Sequence, residues 1–346
     1  MTTNAASIAP DTRPALRCNG PRLWDSLMQL ARIGATPAGG VRRLTLTELD
    51  GEARRLAVDW LRDCGCDIRV DAIGNIHATR PGAEALDPIG IGSHLDTQPN
   101  GGRFDGAYGV MAGLEVLRSL EDHGIRTRHP VNVTIWTNEE GSRFTPVMMG
   151  SGVYAGAFTL EHCLAQRDRD GRTVGAALEA IGFDGRDAAP SLAAYFEPHI
   201  EQGPILEEEG ITIGAVETAL GQRWFDVVVT GQDAHAGPTP LSMRRDALLG
   251  AARVVAAVRR IAETHPDEAR GTVGQLDVTP NSRNVIPGRV ALTVDLRNAR
   301  DETLSRMVDA LRAECAAIAA EDRLEITLDE VVYFPPCRFD PSLVAL

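Results

Sequence analysis

Residues 89–140 read IGIGSHLDTQPNGGRFDGAYGVMAGLEVLRSLEDHGIRTRHPVNVTIWTNEE, and the order of apolar runs within them decides the fold. Residues 89–93 are a short apolar run that ends at His94. A glycine-dense loop follows, then a helical pattern from about Ala107 to Asp122, stopped by Gly124. An alternating strand, Val131 to Trp136, runs into Asn138, Glu139 and Glu140. A strand, a helix and a second strand in this order imply a crossover connection. The expectation is a mainly parallel, buried sheet whose sites lie at the carboxyl ends of its strands. His94 and the glutamate pair stand at such ends.

The regions on either side extend the pattern. Upstream, Leu23, Leu27, Leu30 and Ala31 recur at helical spacing after Pro21, and Thr47 to Asp50 matches a capping box opening a helix that stops near Gly65. Strands at Asp67 to Val70 and Asn75 to Arg80 precede the punctuation of Pro81 and Gly82. From about residue 213 the rhythm changes. Trp224 to Thr230, Asp246 to Glu263, Thr272 to Thr279, Arg289 to Arg297, Asp301 to Ala320 and Leu324 to Val332 spell β-α-β-β-α-β, the ferredoxin-like order. Its two helices are amphipathic, each able to cover one face of a small sheet. In the strand Arg289 to Arg297, Val290, Leu292, Val294 and Leu296 share one face, so Asp295 and Arg297 share the other.

Length and composition narrow the function. A chain of 346 residues exceeds what one hydrophobic core usually serves, so two domains are expected. With 35 basic and 48 acidic residues the net charge is −13, and every basic residue is Arg. The absence of Lys excludes Schiff-base and lysine-bound pyridoxal phosphate enzymes, Walker A phosphate loops and the kinase-type β3 lysine. Net acidity argues against nucleic acid and anionic membranes as partners. The 6 Cys are scattered, with neither redox nor zinc spacing, which fits reduced thiols in a cytoplasmic protein. Residues 1–20 lack an apolar h-region and no run approaches the length needed to cross a bilayer, so a soluble intracellular protein is expected.

The chemistry gathers in one half. His94, Asp96 and Asp105 in the loop, Glu139 and Glu140 at the next strand end, and His199 in FEPHIEQG form a nitrogen and oxygen donor set without thiolate. Such a set suits Zn²⁺ or Mn²⁺. Asp105 offers a carboxylate that can bridge two ions. Asp96, two residues past His94, is placed to accept the other imidazole N–H. Singly, a His before a turn is commonly a cap and a Glu pair a solvated strand end. Together, at strand ends of one half, they point to a metal centre. GAYGVMAG lacks the G-x-G-x-x-G frame and reads as close helix-to-sheet packing; Met149 breaks a G-x-S-x-G elbow around Ser151.

These motifs resemble the amidohydrolase branch of the M20 metallopeptidase superfamily, which contains N-carbamoyl-L-amino-acid hydrolases, β-ureidopropionases and allantoate amidohydrolases. The resemblance runs from about Arg22 onward and rests on GSHLDT at Gly92, GGRFDG at Gly101, NEEGSRF at Asn138, EPHIEQGP at Glu197, AHAGPTP at Ala234, PNSRNVIPGRV at Pro280 and DLRN at Asp295. It implies a zinc-exopeptidase-type α/β catalytic domain, residues 1–212 and 326–346, with an inserted lid and dimerisation domain, 213–325, that hinges near both junctions. It implies two divalent ions, Zn or Mn, with Co or Ni as substitutes in vitro. His94 and His199 bind one ion, Glu140 the other, and Asp105 bridges them. Glu139 is the general base, Asp96 and His235 assist, and Gln202, His235, Asn284 and Arg297 hold the substrate, Arg297 pairing with its carboxylate.

The implied reaction is hydrolysis of a ureido C–N bond in a small anionic substrate by a homodimer. Relatives carry a further metal-ligating histidine in an SGAGHDA-like loop beyond the position of Leu346. The resemblance therefore also implies a C-terminally incomplete catalytic domain, with the Glu140 site one ligand short. Allantoate hydrolysis, M20 aminoacylase or dipeptidase activity, and a non-catalytic metal- or substrate-binding dimer are the competing readings. Gln202 and its EPHIEQG context speak against the aminoacylases. A nitrilase-type ureidopropionase, whose triad requires lysine, is excluded.

Overall fold

The structure, a computed structural model, describes residues 16–265 and 269–346. It divides into two compact units, the first ending at Pro204 and the second beginning at Ile205.

The first unit contains helices α1 (Gly20–Leu30) and α2 (Glu48–Asp63), strands β1 (Asp67–Val70), β2 (Ile76–Arg80) and β3 (Ile89–His94), helix α3 (Ala107–Asp122) and strand β4 (Val131–Trp136). Three short helices, α4 (Met149–Tyr154), α5 (Leu160–Ala165) and α6 (Val174–Ile181), precede β5 (Ala194–Phe196). Thr47 caps α2, its hydroxyl accepting the Asp50 N–H at 3.4 Å, and Gly65 follows the helix at φ 73°. The strand order is β1-β2-β4-β3-β5.

This sheet is mixed, which corrects the expectation of a mainly parallel one. β3 pairs in parallel with β4 and β5, whereas β2 is antiparallel to both β1 and β4. The reason lies in the β1–β2 connection. Asp71 Oδ1 accepts the N–H groups of Ile73 and Asn75, and Gly74 adopts φ 82°, so the chain reverses within a few residues and needs no crossover helix. Only the α3 crossover produces the parallel β3–β4 pair, and that pair carries His94 and the glutamates at its carboxyl ends. The core beneath it includes Ile76, Val110, Leu114, Leu117, Val133 and Ile135, all fully buried.

The second unit contains α7 (Ile205–Glu209), β6 (Thr218–Ala219), β7 (Gly221–Thr230), β8 (Ala234–His235), α8 (Ala247–Glu263), β9 (Arg270–Thr272), β10 (Leu276–Thr279), β11 (Val285–Ile286) and β12 (Arg289–Asn298). Then come α9 (Asp301–Asp322), β13 (Glu325–Phe334), β14 (Cys337–Arg338) and α10 (Pro341–Val344). Its main sheet is antiparallel, ordered β10-β12-β7-β13, with β9 also on β12. α8 and α9 bury Val254, Val258, Ile261, Leu304, Leu311 and Ile318 against Phe225, Val227, Val290, Leu292 and Leu296. The strand read as Thr272 to Thr279 is interrupted between β9 and β10.

The unit boundary also differs from the sequence reading at 212 and 325. Residues after 325 stay with the second unit because β13 pairs with β7 from Glu325 to Phe334, and β14 pairs with β6. Among the described residues no helix is long and apolar enough to cross a membrane.

Close approach at the parallel pair generates a prediction. A Cβ on Gly92 of β3 would collide with the Thr134 carbonyl of β4, a backbone atom that cannot move aside without parting the strands. Gly92→Ala is expected to cost about 1–3 kcal/mol in chemical denaturation. A loss below about 0.5 kcal/mol would show that the pair tolerates the methyl group.

Candidate metal centre

His94 is the last residue of β3 and is 1% exposed. Asp105 lies in the loop before α3. That helix begins after Gly106, whose φ is 61° and where a Cβ would come within 2.5 Å of the His94 ring; only glycine satisfies both constraints. β5 delivers His199 three residues beyond its end. Between these elements the ligand atoms of His94, Asp105 and His199 lie within 4.8 Å of one another. Asp105 Oδ1 is 3.3 Å from His199 Nε2 and 3.8 Å from His94 Nε2.

The imidazoles are oriented from behind. His94 Nδ1 meets the Asp96 carbonyl at 2.8 Å, and His199 Nδ1 meets the Ile200 carbonyl at 2.8 Å. A carbonyl only accepts, so both Nδ1 atoms carry hydrogen and each neutral ring turns its Nε2 lone pair toward Asp105. Lone pairs facing a carboxylate oxygen need a cation or a proton between them. This N₂O donor set, with ring tautomers fixed by the outer partners, fits a divalent ion of zinc or manganese type.

Glu139 and Glu140 follow β4 through Asn138, whose φ is 53° and whose amide donates to the Phe144 and Pro146 carbonyls. Glu139 Oε2 stands 3.5 Å from His94 Nε2. Glu140 lies outside the three-residue group; its Oε2 accepts from Gln98 at 3.2 Å, while its buried Oε1 has no hydrogen-bond partner among the described residues. An orphaned carboxylate oxygen beside Asp105 is a further sign that a cation belongs here.

Asp96 departs from its expected role. The backbone carbonyl of Asp96, not its carboxylate, holds His94 Nδ1; the carboxylate stays 3.8 Å away. Its two oxygens instead accept the Glu139 and Glu140 backbone N–H groups at 3.3 Å each. Asp96 thus fixes the glutamate turn to the histidine loop. Gln202, at φ 57°, donates to Asp105 Oδ2 at 2.6 Å.

The remaining expected residues fall in the second unit. His235 on β8 stands opposite Val285 of β11, next to Asn284, and its Nδ1 accepts the Gly237 N–H at 3.1 Å. Arg297 shares its strand face with Asp295, as the alternation requires, and forms a forked pair with it at 2.8 and 3.0 Å.

Several participants escaped the sequence reading. Arg43, fully buried, donates to the Leu95 and Ile33 carbonyls, and its N–H reaches Thr97 Oγ1 at 2.8 Å, clasping the Asp96 loop. Arg54, also fully buried, pairs with Asp50 at 2.9 Å and donates to Gly74 O and Thr137 Oγ1, just before the glutamates. Glu197 accepts from Ser93 at 2.5 Å and from Tyr195 at 3.0 Å. Gln98 and Glu197 each lie two residues from a recognised site residue, and Glu197 also opens the EPHIEQGP motif, signals that could have found them. The two buried arginines had none.

Crowding shifts the protonation equilibria. Burial and then Asp105 raise Glu140 to about 8, and burial raises Glu139 and Asp96. The hydrogen bond to Asp105 raises His199 to about 9; at His94 burial opposes the proton, but Asp96, Glu139 and Glu140 outweigh it and raise the pKa. For Asp105, burial is overcome by the two histidines and the value falls.

The linkage sign follows. Without a divalent ion, folded protein holds a proton on Glu140 up to about pH 8 that the unfolded chain releases near 4.5, and on His199 up to about pH 9 instead of 6.5. The folded state binds more protons across these windows, so stability falls as pH rises through them. The thermal midpoint of chelator-treated protein is expected to drop from pH 5 to pH 9, with Glu140→Gln flattening the lower part. A midpoint that rises over this range contradicts the assignment.

This chain is similar over most of its length to known proteins. A curated N-carbamoyl-L-amino-acid amidohydrolase of Rhizobium meliloti is 47% identical over 332 residues, covering 95% of this chain and 80% of the relative. An allantoate amidohydrolase of Bacillus subtilis is 32% identical, covering 93% and 80%. Among solved structures, an amidase of the hydantoinase/carbamoylase family from Burkholderia vietnamiensis matches with TM-score 0.93 and 55% identity, covering 96% of this chain and 81% of that one. Residues 90–346 match the model of peptidase family M20/M25/M40, and with these relatives the chain belongs to that family.

Proposed function

We propose that this protein hydrolyses the ureido C–N bond of N-carbamoyl-L-amino acids, releasing the amino acid, ammonia and carbon dioxide. The observation that carries the reading is the convergence of His94, Asp105 and His199 within 4.8 Å, beside a second carboxylate pair, in a chain 47% identical to a named N-carbamoyl-L-amino-acid amidohydrolase.

His94, Asp105, Glu140 and His199 would hold two divalent ions, Zn or Mn. Bound there, the ions supply Lewis acidity toward the carbamoyl carbonyl and lower the pKa of water. Glu139 is then the general base: its carboxylate takes a proton from the attacking water and returns it to the leaving nitrogen. Burial raises its pKa toward the working pH, which suits both transfers. Asp96 keeps Glu139 and Glu140 in place through their peptide N–H groups. Water adds to the ureido carbon, the C–N bond to the amino acid breaks, and the carbamate left behind divides into ammonia and carbon dioxide.

The second unit's part in this proposal is to act as a lid and dimerisation domain. Arg297 recognises the substrate carboxylate with a planar fork, exchanging Asp295 for it, while His235 and Asn284 donate to the carbamoyl and carboxylate oxygens. The working form is a homodimer. Gln202 contacts the carbamoyl end.

Ammonia release from a panel of N-carbamoyl α-amino acids, N-carbamoyl-β-alanine, allantoate and N-acetyl amino acids, with Mn²⁺, Zn²⁺ or Co²⁺ added, tests the reading. The N-carbamoyl α-amino acids are expected to turn over fastest; faster hydrolysis of N-acetyl amino acids or allantoate would replace this function. Glu139→Gln should lower kcat about 10²–10⁴-fold with unchanged metal content by elemental analysis.

A further inference from the structure

Each carboxylate that would hold a metal has one oxygen engaged by a glutamine. Gln98 Nε2 donates to Glu140 Oε2 at 3.2 Å, and Gln202 Nε2 donates to Asp105 Oδ2 at 2.6 Å. In both cases the other oxygen is left for an ion: Glu140 Oε1 is buried and without a partner among the described residues, and Asp105 Oδ1 faces the two Nε2 atoms at 3.3 and 3.8 Å. The glutamines come from different loops, after β3 and after β5, yet end in the same arrangement. Gln202 does so from a left-handed backbone at φ 57°, a conformation uncommon for a side chain of its kind.

We propose that Gln98 and Gln202 are positioning residues, a pair of neutral clamps that aim Glu140 and Asp105 at the metal ions. The chemistry favours amides over cations at these points. A guanidinium would orient a carboxylate as well, but it would neutralise the charge that attracts a divalent ion. A carboxamide fixes one oxygen through a planar N–H and leaves the full negative charge on the group. This role rests on the metal centre of the proposed function and gives Gln202 a task besides any contact with substrate. The contrary reading of Gln98, an exposed loop side chain making an incidental contact, assigns it no influence on metal affinity.

The test is metal binding by the full chain, read without turnover. Mn²⁺ titration followed by electron paramagnetic resonance, with Zn²⁺ competition, gives the dissociation constant of each binding step, and Glu140→Gln identifies the step that depends on Glu140. Gln98→Leu, similar in size but lacking the N–H, is expected to weaken that step about 10–100-fold and leave the other within threefold. Gln202→Leu is expected to weaken the other step, the one that depends on His94, Asp105 and His199, by a similar factor. The unfolding midpoint of the chelated Gln98→Leu protein should equal that of the parent, since the side chain is exposed; a lowered midpoint would make Gln98 structural and overturn its role as a clamp. Binding steps unchanged in Gln98→Leu also overturn the proposal. If Glu140→Gln itself leaves both steps intact, the metal assignment fails first, and the clamps with it.

Discussion

Four carboxylates and two imidazoles crowd the carboxyl ends of β3 and β4, and the rest of the first unit is arranged around holding them there. Asp96 and His94 are each 1% exposed, so water contributes little to separating the charges. Burial of like charge at this density is tolerable only if protons or a cation intervene. The upward shifts of Glu139, Glu140 and Asp96 express that cost, and the lowered Asp105, flanked by both imidazoles, marks where a positive charge is most favoured.

The scaffold resists the repulsion by attaching the site to backbone. Arg43 and Arg54 lie beneath it, fully buried, their guanidiniums spent mostly on carbonyl oxygens of the chain segments that enter the site. Asp96 ties two peptide N–H groups of the glutamate turn to the histidine loop. A buried arginine satisfied by carbonyls fixes the course of several loops at once, at the expense of desolvating its charge.

Much of this was legible in the sequence because the signals were local. The strand, helix and strand of residues 89–136 each follow their own periodicity, and strand ends are where polar residues can converge, so His94, Asp105, Glu139 and Glu140 could be read together. The α8 and α9 helices and the alternation that separates Arg297 from Val294 and Leu296 were equally plain. What stayed hidden depended on distant partners. The antiparallel placement of β2 beside β4 is a matter of pairing, which periodicity does not record. Arg43 and Arg54 look in sequence like any other of the arginines, and the choice of Asp96 between imidazole and peptide N–H is settled only by the folded path of its loop.

Both imidazoles lean on main-chain carbonyls, and this has a consequence for how the centre can change. A histidine held by a neighbouring Asp or Glu can be retuned by substituting that neighbour, but a carbonyl has no side chain to replace. The orientation of the His94 and His199 rings is therefore held by atoms that no side-chain substitution removes. Substitution reaches the oxygen side more directly, through the carboxylates and the amides that touch them. The backbone path sets the aim of the nitrogen half of the centre, and side chains set that of the oxygen half.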